Sequence, residues 1–193
     1  MQTIITQILE DSLRVKRAAI EDNLGKLAHA AGLLADCIRN AGKILIFGNG
    51  GSAADAQHLA AEFVNRFQIE RDPLPALALT TDTSVLTSIG NDYSFEDVFA
   101  KQVAAFGSEG DLAWGISTSG NSANVVKALE TSQTLGMTTI GMTGRGGKMR
   151  ECCDLLLTVA SDTTARIQET HITMGHILCE LVDRILYPGQ FKP

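Results

Sequence analysis

Two short stretches of this chain carry residue types that could do chemistry together. The first is Gly48-Asn49-Gly50-Gly51-Ser52, followed at helical spacing by His58 and Glu62. Glycines closing an apolar run make a turn, and a helix opening behind that turn offers free backbone N–H groups to an anion. His58 and Glu62, four residues apart, leave one face of that helix as an acid/base pair. Cradle and pair fall within roughly 15 Å of helical rise. The bland alternative for the pair is an exposed i,i+4 contact on a solvated face.

The second stretch is Ser117-Thr118-Ser119-Gly120-Asn121-Ser122, again between an apolar run and a helical pattern. Hydroxyls and helix N-terminal amides can bind phosphate without formal positive charge. An ordinary N-cap needs one Ser, and here four hydroxyls fall within six residues. Gly48-x-Gly50-x-x-Ala53, with Glu70 some twenty residues on, also fits a dinucleotide fingerprint, a weak match that leaves His58 and Glu62 without a role. A P-loop is excluded because no Gly-Lys-Ser/Thr follows. The last helical segment offers His171 and His176, about 140° apart around a helix axis, and spacing alone does not choose between them. Arg66, Lys101, Arg145, Lys148 and Arg166 are candidate phosphate or interface cations, each also readable as a solvated charge.

The elements that must position these groups are legible in outline. Residues 2–22 and 24–38 read as two amphipathic helices, the second stopped by Asn40-Ala41-Gly42. Strands are expected at Lys43–Phe47, Ala76–Thr80, Asp111–Ile116, Met137–Met142 and Leu155–Val159. Helices are expected from Ser52, over Ser84–Ile89, over Phe95–Phe106, from Ser122 to Leu135 and over Asp162–Tyr187. This alternation implies an α/β three-layer sandwich around a parallel sheet, with right-handed crossovers and ligands beyond the carboxyl ends of the strands. Two helices ahead of the first strand exceed what a small sheet needs, so part of their apolar face is expected on another subunit.

Bulk composition narrows the class. The chain has 193 residues, 45% hydrophobic and 20% charged, an ordinary soluble composition for one domain. Its formal net charge of -6 argues against bulk nucleic-acid or anionic-membrane binding. Cys37, Cys152, Cys153 and Cys179 lack ligand-like spacing, no secretory signal is seen, and no apolar run reaches membrane-span length. A cytoplasmic protein is expected.

Taken together, Gly48-Asn49-Gly50-Gly51-Ser52, Gly90-Asn91-Asp92, Ser117 to Ser122 and Arg166-Ile167-Gln168-Glu169 resemble the sugar isomerase (SIS) domain family, and within it the phosphoheptose isomerases. The likeness runs in order over nearly the whole chain. It implies a flavodoxin-like five-stranded parallel sheet, with residues 1–193 as one SIS domain and residues 1–42 as a helical extension used in packing and oligomerisation. It implies a homotetramer with sites at subunit interfaces. The implied reaction isomerises D-sedoheptulose 7-phosphate to D-glycero-D-manno-heptose 7-phosphate, the first step of ADP-heptose synthesis for lipopolysaccharide core. By matching motif, Ser117, Thr118, Ser119 and Ser122 would hold the phosphate. Asn49, Gly50, Gly51, Asn91, Asp92 and Gln168 would hold the sugar, with Glu62 and His176 catalytic. The likeness also implies one zinc ion on His58, Glu62, Gln168 and His176, and no nucleotide cofactor. Gln168 and His176, eight residues apart, stand about 12 Å apart along a helix, a demanding reach for one ion.

The chemistry agrees with those residue types. Moving a carbonyl between C2 and C1 takes a proton from one carbon and returns it to the other, which one carboxylate can do through an enediol. Two alternatives use the same scaffold without turnover. One is a non-catalytic SIS tetramer that binds the bacterial replication initiator, which Leu79-Thr80-Thr81-Asp82-Thr83 and Ile185-Leu186-Tyr187-Pro188 somewhat resemble. That branch lacks an acid at the position of Glu62 and a His at that of His176; this chain has both. The other is a phosphosugar-sensing module.

Overall fold

The computed structural model describes residues 1–191. Helix α1 spans Gln2–Arg39. Strand β1, Ile44–Gly48, leads into α2, Gly51–Val64; β2 is Ala76–Ala78 and α3 is Thr83–Asp92. A 3-10 turn at Phe95–Asp97 precedes α4, Ala100–Phe106. Then follow β3 (Leu112–Ser117), α5 (Ala123–Thr134), β4 (Thr138–Thr143), β5 (Leu155–Thr158) and α6 (Thr164–Leu186).

The five strands are parallel, in the order β2-β1-β3-β4-β5. Winding therefore reverses between β1 and β3, whose register pairs Gly48 with Ile116. In an open parallel sheet this switch point leaves a crevice at the strand carboxyl ends. The glycine loop follows β1 and the hydroxyl loop follows β3, so the fold places both at that crevice.

Side chains alternate across the buried sheet. Ile44, Ile46, Leu112, Trp114, Ile140 and Met142 join α1, α2 and α6 in one core. Leu45, Phe47 and Ala113 face the opposite core with Val98, Phe99, Val103, Val125 and Leu129. Gly175 of α6 meets α2 so closely that a Cβ there would lie 2.6 Å from Leu59 Cδ2. The helices carrying His58 and His176 touch beside those residues.

The N-terminal region departs from the sequence reading. It is one continuous helix, not two, about 57 Å long at 1.5 Å per residue. Asn23, at the expected break, is 1% exposed inside the helix. Its amide donates to the Ala19 carbonyl (2.7 Å) and the Thr158 carbonyl (2.9 Å) and accepts from Thr158 N–H (3.3 Å), closing the free edge of β5. A polar residue that reads as a boundary is thus an internal plug. Of the apolar stripe that the i, i+3, i+4 spacing predicts (Leu24, Leu27, Ala28, Ala31, Leu34, Ala35 and Ile38), Leu27, Ala31, Leu34 and Ala35 are buried and Ile38 is half-buried, whereas Leu24 and Ala28 are exposed. The expected helix over Phe95–Phe106 divides into the 3-10 turn and α4, and Gly90-Asn91-Asp92 completes α3 rather than following it.

Candidate active site

The glycine loop works because its backbone takes a conformation closed to other residues. Gly50 has φ 55° and ψ −121° at the N-cap of α2, where no side chain caps the helix. Ser52 N–H closes the turn on the Asn49 carbonyl at 2.9 Å. Gly51 is pressed against Gln168 of α6, whose Nε2 would lie 2.5 Å from any Cβ added there.

Two to three turns along α2, the acid/base pair meets a third group. His58 Nε2 lies 3.3 Å from Glu62 Oε1 and 2.8 Å from His176 Nε2 on α6. One ligand atom from each of the three residues lies within 4.8 Å of the others. The Phe67 ring stands beside His176, centroids 5.5 Å apart. Partial burial pushes the His176 pKa down, the His58 charge adds to that, and the Glu62 carboxylate partly opposes both. His176 is therefore held toward neutral imidazole, able to donate through one nitrogen and accept through the other. Two imidazole nitrogens and a carboxylate oxygen form a donor set that could hold a divalent metal ion.

The structure separates the two histidines that spacing left open. His176 faces His58, whereas His171 is fully buried with neither ring nitrogen hydrogen-bonded. Burial drives its pKa down to about 4, only partly offset by the nearby Thr143 backbone. Gln168 stands two turns before His176, against Gly51, so the described geometry unites three of the four expected metal ligands and leaves Gln168 at the glycine loop.

The hydroxyl loop is built inward. Ser117 Oγ lies 2.8 Å from Ser122 Oγ and 3.4 Å from Ser119 Oγ. Ser122 occupies the N-cap position of α5 yet makes no side-chain capping bond, so the plain N-cap reading fails and its hydroxyl belongs to the cluster. Gly120, φ 67°, turns the loop, and Asn121 ties it to the next one by accepting from Lys148 N–H at 3.0 Å. Thr118 and Ser119 also edge a cleft of about 310 Å³ with Arg145, Ser161, Asp162 and Thr164. That cleft includes none of His58, Glu62 and His176.

Two features were not anticipated. Asn49 and Asn124, 75 residues apart, exchange paired amide hydrogen bonds of 2.8 and 2.9 Å, joining the glycine loop to the start of α5. Arg71, absent from the candidate cations, is buried against Asp183. Among those candidates, Arg66 pairs with Glu70, Arg145 with Asp162, and Arg166 with Glu169 and the Ile8 carbonyl, while Lys101 lies over the Tyr93 ring. Arg166 thus ties α6 to α1. Asn91 and Asp92 end α3, exposed, and Asn91 Nδ2 donates to Asp92 Oδ1 at 2.8 Å.

The SIS domain family matches residues 8–144. A phosphoheptose isomerase of Nitratidesulfovibrio vulgaris is 53% identical over 185 residues, 95% of this chain and 89% of its own length. The chain belongs to the phosphoheptose isomerase family of SIS-domain proteins. The solved phosphoheptose isomerase GmhA of Neisseria gonorrhoeae superposes with a TM-score of 0.89 at 48% identity, covering 94% of this chain and 98% of that one. A phosphoheptose isomerase from Francisella tularensis gives a TM-score of 0.91 at 40% identity, over 95% and 98% of the two chains. The family's fold is the one described above, with its two loops at the switch point.

Proposed function

We propose that this protein interconverts D-sedoheptulose 7-phosphate and D-glycero-D-manno-heptose 7-phosphate through an enediol, opening ADP-heptose synthesis for lipopolysaccharide core. The observation that carries this reading is the meeting of His58 and Glu62, on the helix that opens behind the glycine loop, with His176 of α6. Ser117, Thr118, Ser119 and Ser122 hold the phosphate, while Asn49, Gly50, Gly51, Asn91, Asp92 and Gln168 hold the sugar. Glu62 takes the proton from C1 of the ketose and returns it to C2. His176, held toward neutrality, passes a proton between the two oxygens. Phosphate held on one loop and reacting carbons on α2 convert proton transfer into an oriented, intramolecular-like step.

His58, Glu62 and His176 fit a zinc ion by donor type, with the Gln168 amide oxygen as the further ligand the family implies. When bound, the ion would supply Lewis-acid stabilisation of negative charge on the sugar oxygens. We place the protein in the cytoplasm; all four cysteines are free thiols, and no helix among the described residues is long and apolar enough to cross a membrane. Residues 1–193 act as one SIS domain in a homotetramer, with residues 1–42 serving packing and assembly. Support comes from apolar groups left uncovered on α1 and from α3, which has no buried residue in the single chain.

The test is incubation with sedoheptulose 7-phosphate while aldose formation is followed. Turnover that disappears in Glu62→Gln is expected. Clean binding without turnover would overturn the enzyme reading and favour a sensing or replication-initiator-binding protein, neither of which needs the acid/base groups.

A further inference from the structure

Arg71 lies in the connection between α2 and β2, yet its side chain and that of Asp183 are each 1% exposed. A helix leaves its last carbonyls without intrahelical partners, and α2 ends at Val64. Arg71 satisfies two of them: Nη2 donates to the Glu62 carbonyl and Nη1 to the Phe63 carbonyl, each at 2.8 Å. Nη1 also reaches the Asp72 carbonyl at 3.2 Å. The remaining arm, Nε, donates to Asp183 Oδ1 of α6 at 2.7 Å. One planar fork therefore binds the end of the helix bearing His58 and Glu62 to the helix bearing His176. Asp183 is seven residues beyond His176, on nearly the same side of α6.

Resting on the isomerase reading, we propose that Arg71 is a positioning residue for the reaction, setting the spacing of Glu62 and His58 against His176. Helices α2 and α6 already touch where Leu59 meets Gly175. Gly51 also presses on Gln168 and His58 meets His176, so these contacts lie along the first two-thirds of α2. The Arg71–Asp183 link fixes the C-terminal end of α2 and holds the backbone carbonyl of Glu62 itself. A buried ion pair adds little stability over an apolar pair of equal volume, and Asp183 Oδ2 has no hydrogen-bond partner. What the guanidinium supplies is direction: its donors reach three carbonyls and a carboxylate at once, which a lysine ammonium on a flexible stem cannot reproduce.

Arg71→Lys keeps the charge beside Asp183 and gives up the fork; Arg71→Met/Asp183→Leu removes both charges and keeps the volume. Both are expected to lower kcat about 10- to 100-fold. KM for sedoheptulose 7-phosphate should stay within about twofold, because the phosphate is held on a different element. The double variant should melt at or above Arg71→Met, separating geometry from stability. Wild-type kcat in Arg71→Lys or in the double variant would overturn the proposal. Imidazole NMR of His58 and His176 is read on the same proteins: displaced resonances in Arg71→Lys support the clamp, and unmoved ones overturn it even if the wild type proves inactive. An inactive wild type would sink the isomerase reading alone.

Discussion

His58 Nε2 and His176 Nε2 face each other across 2.8 Å, with Glu62 Oε1 3.3 Å from the former. A contact that short between ring nitrogens is a hydrogen bond only if one carries a proton and the other does not. Loss of that shared proton leaves two lone pairs and a carboxylate pointing at one place. We expect the purified protein to take up one zinc ion per subunit and His58→Ala to lose it, measured by metal analysis. Affinity should fall as pH drops, because zinc competes with protons for the imidazoles. A full complement of zinc in His58→Ala would exclude this ligand set.

The hydroxyl loop should govern binding more than turnover. Ser122 forgoes capping α5 to join Ser117, so Ser122→Ala removes the proposed phosphate donor without taking a capping bond from the helix end. A hydrogen bond to a charged group is worth about 1.5–3 kcal/mol, so KM should rise about tenfold or more with a smaller change in kcat. Unchanged KM in steady-state kinetics would move the phosphate elsewhere.

Much of this arrangement was legible in the sequence, and the parts that were not share a cause. Strand–loop–helix punctuation marks the glycine and hydroxyl loops, and parallel α/β topology then brings them together. Local patterns carry no information about partners far along the chain. Asn23 reads as a helix boundary because its partner, the edge of β5, is 135 residues away. Arg71 looks like any surface cation until Asp183 is folded against it, and the Asn49–Asn124 pairing has no local signature. His176 could be preferred to His171 only through the family likeness, since both lie on one helix and only tertiary packing buries the latter.

Gly120 should tolerate no side chain. Its φ of 67° disfavours any L-residue, and an added Cβ would collide with the Gly146 carbonyl oxygen, a backbone atom with no freedom to swing away. Gly120→Ala should cost about 3 kcal/mol of stability and open the hydroxyl loop. Urea unfolding checks the first effect and KM the second; a variant as stable as wild type would contradict the described turn.

His171 should make the fold acid-sensitive. Its folded pKa of about 4 lies below the ordinary 6.5, so between those values the unfolded chain binds the proton and the folded chain does not. Above pH 6.5 neither state binds the proton and protonation costs nothing, and stability is lost as pH falls toward 4. The loss approaches about 3 kcal/mol. Urea-derived stabilities of wild type and His171→Met across that window should diverge by this amount on acidification. Parallel profiles would show that His171 stays protonated or solvated in the folded protein.

The apolar groups left on α1 lead to a prediction about assembly. Leu27, Ala30, Ala31 and Leu34 bury the C-terminal half of this helix, while Ile4, Ile5, Ile8, Leu9 and Leu13 of the other half stay exposed. Several large aliphatic side chains along one helical segment exceed what a monomer surface ordinarily leaves to water. Leu9→Glu/Leu13→Glu places charge on that segment without touching the sheet. Light scattering should then report a smaller species than the wild type forms, while circular dichroism keeps its helical signal. Activity should fall with the assembly if neighbouring subunits complete the sites. A dissociated variant with full turnover would place every essential group within one chain, and an unchanged mass would put the subunit contact on another surface, such as α3.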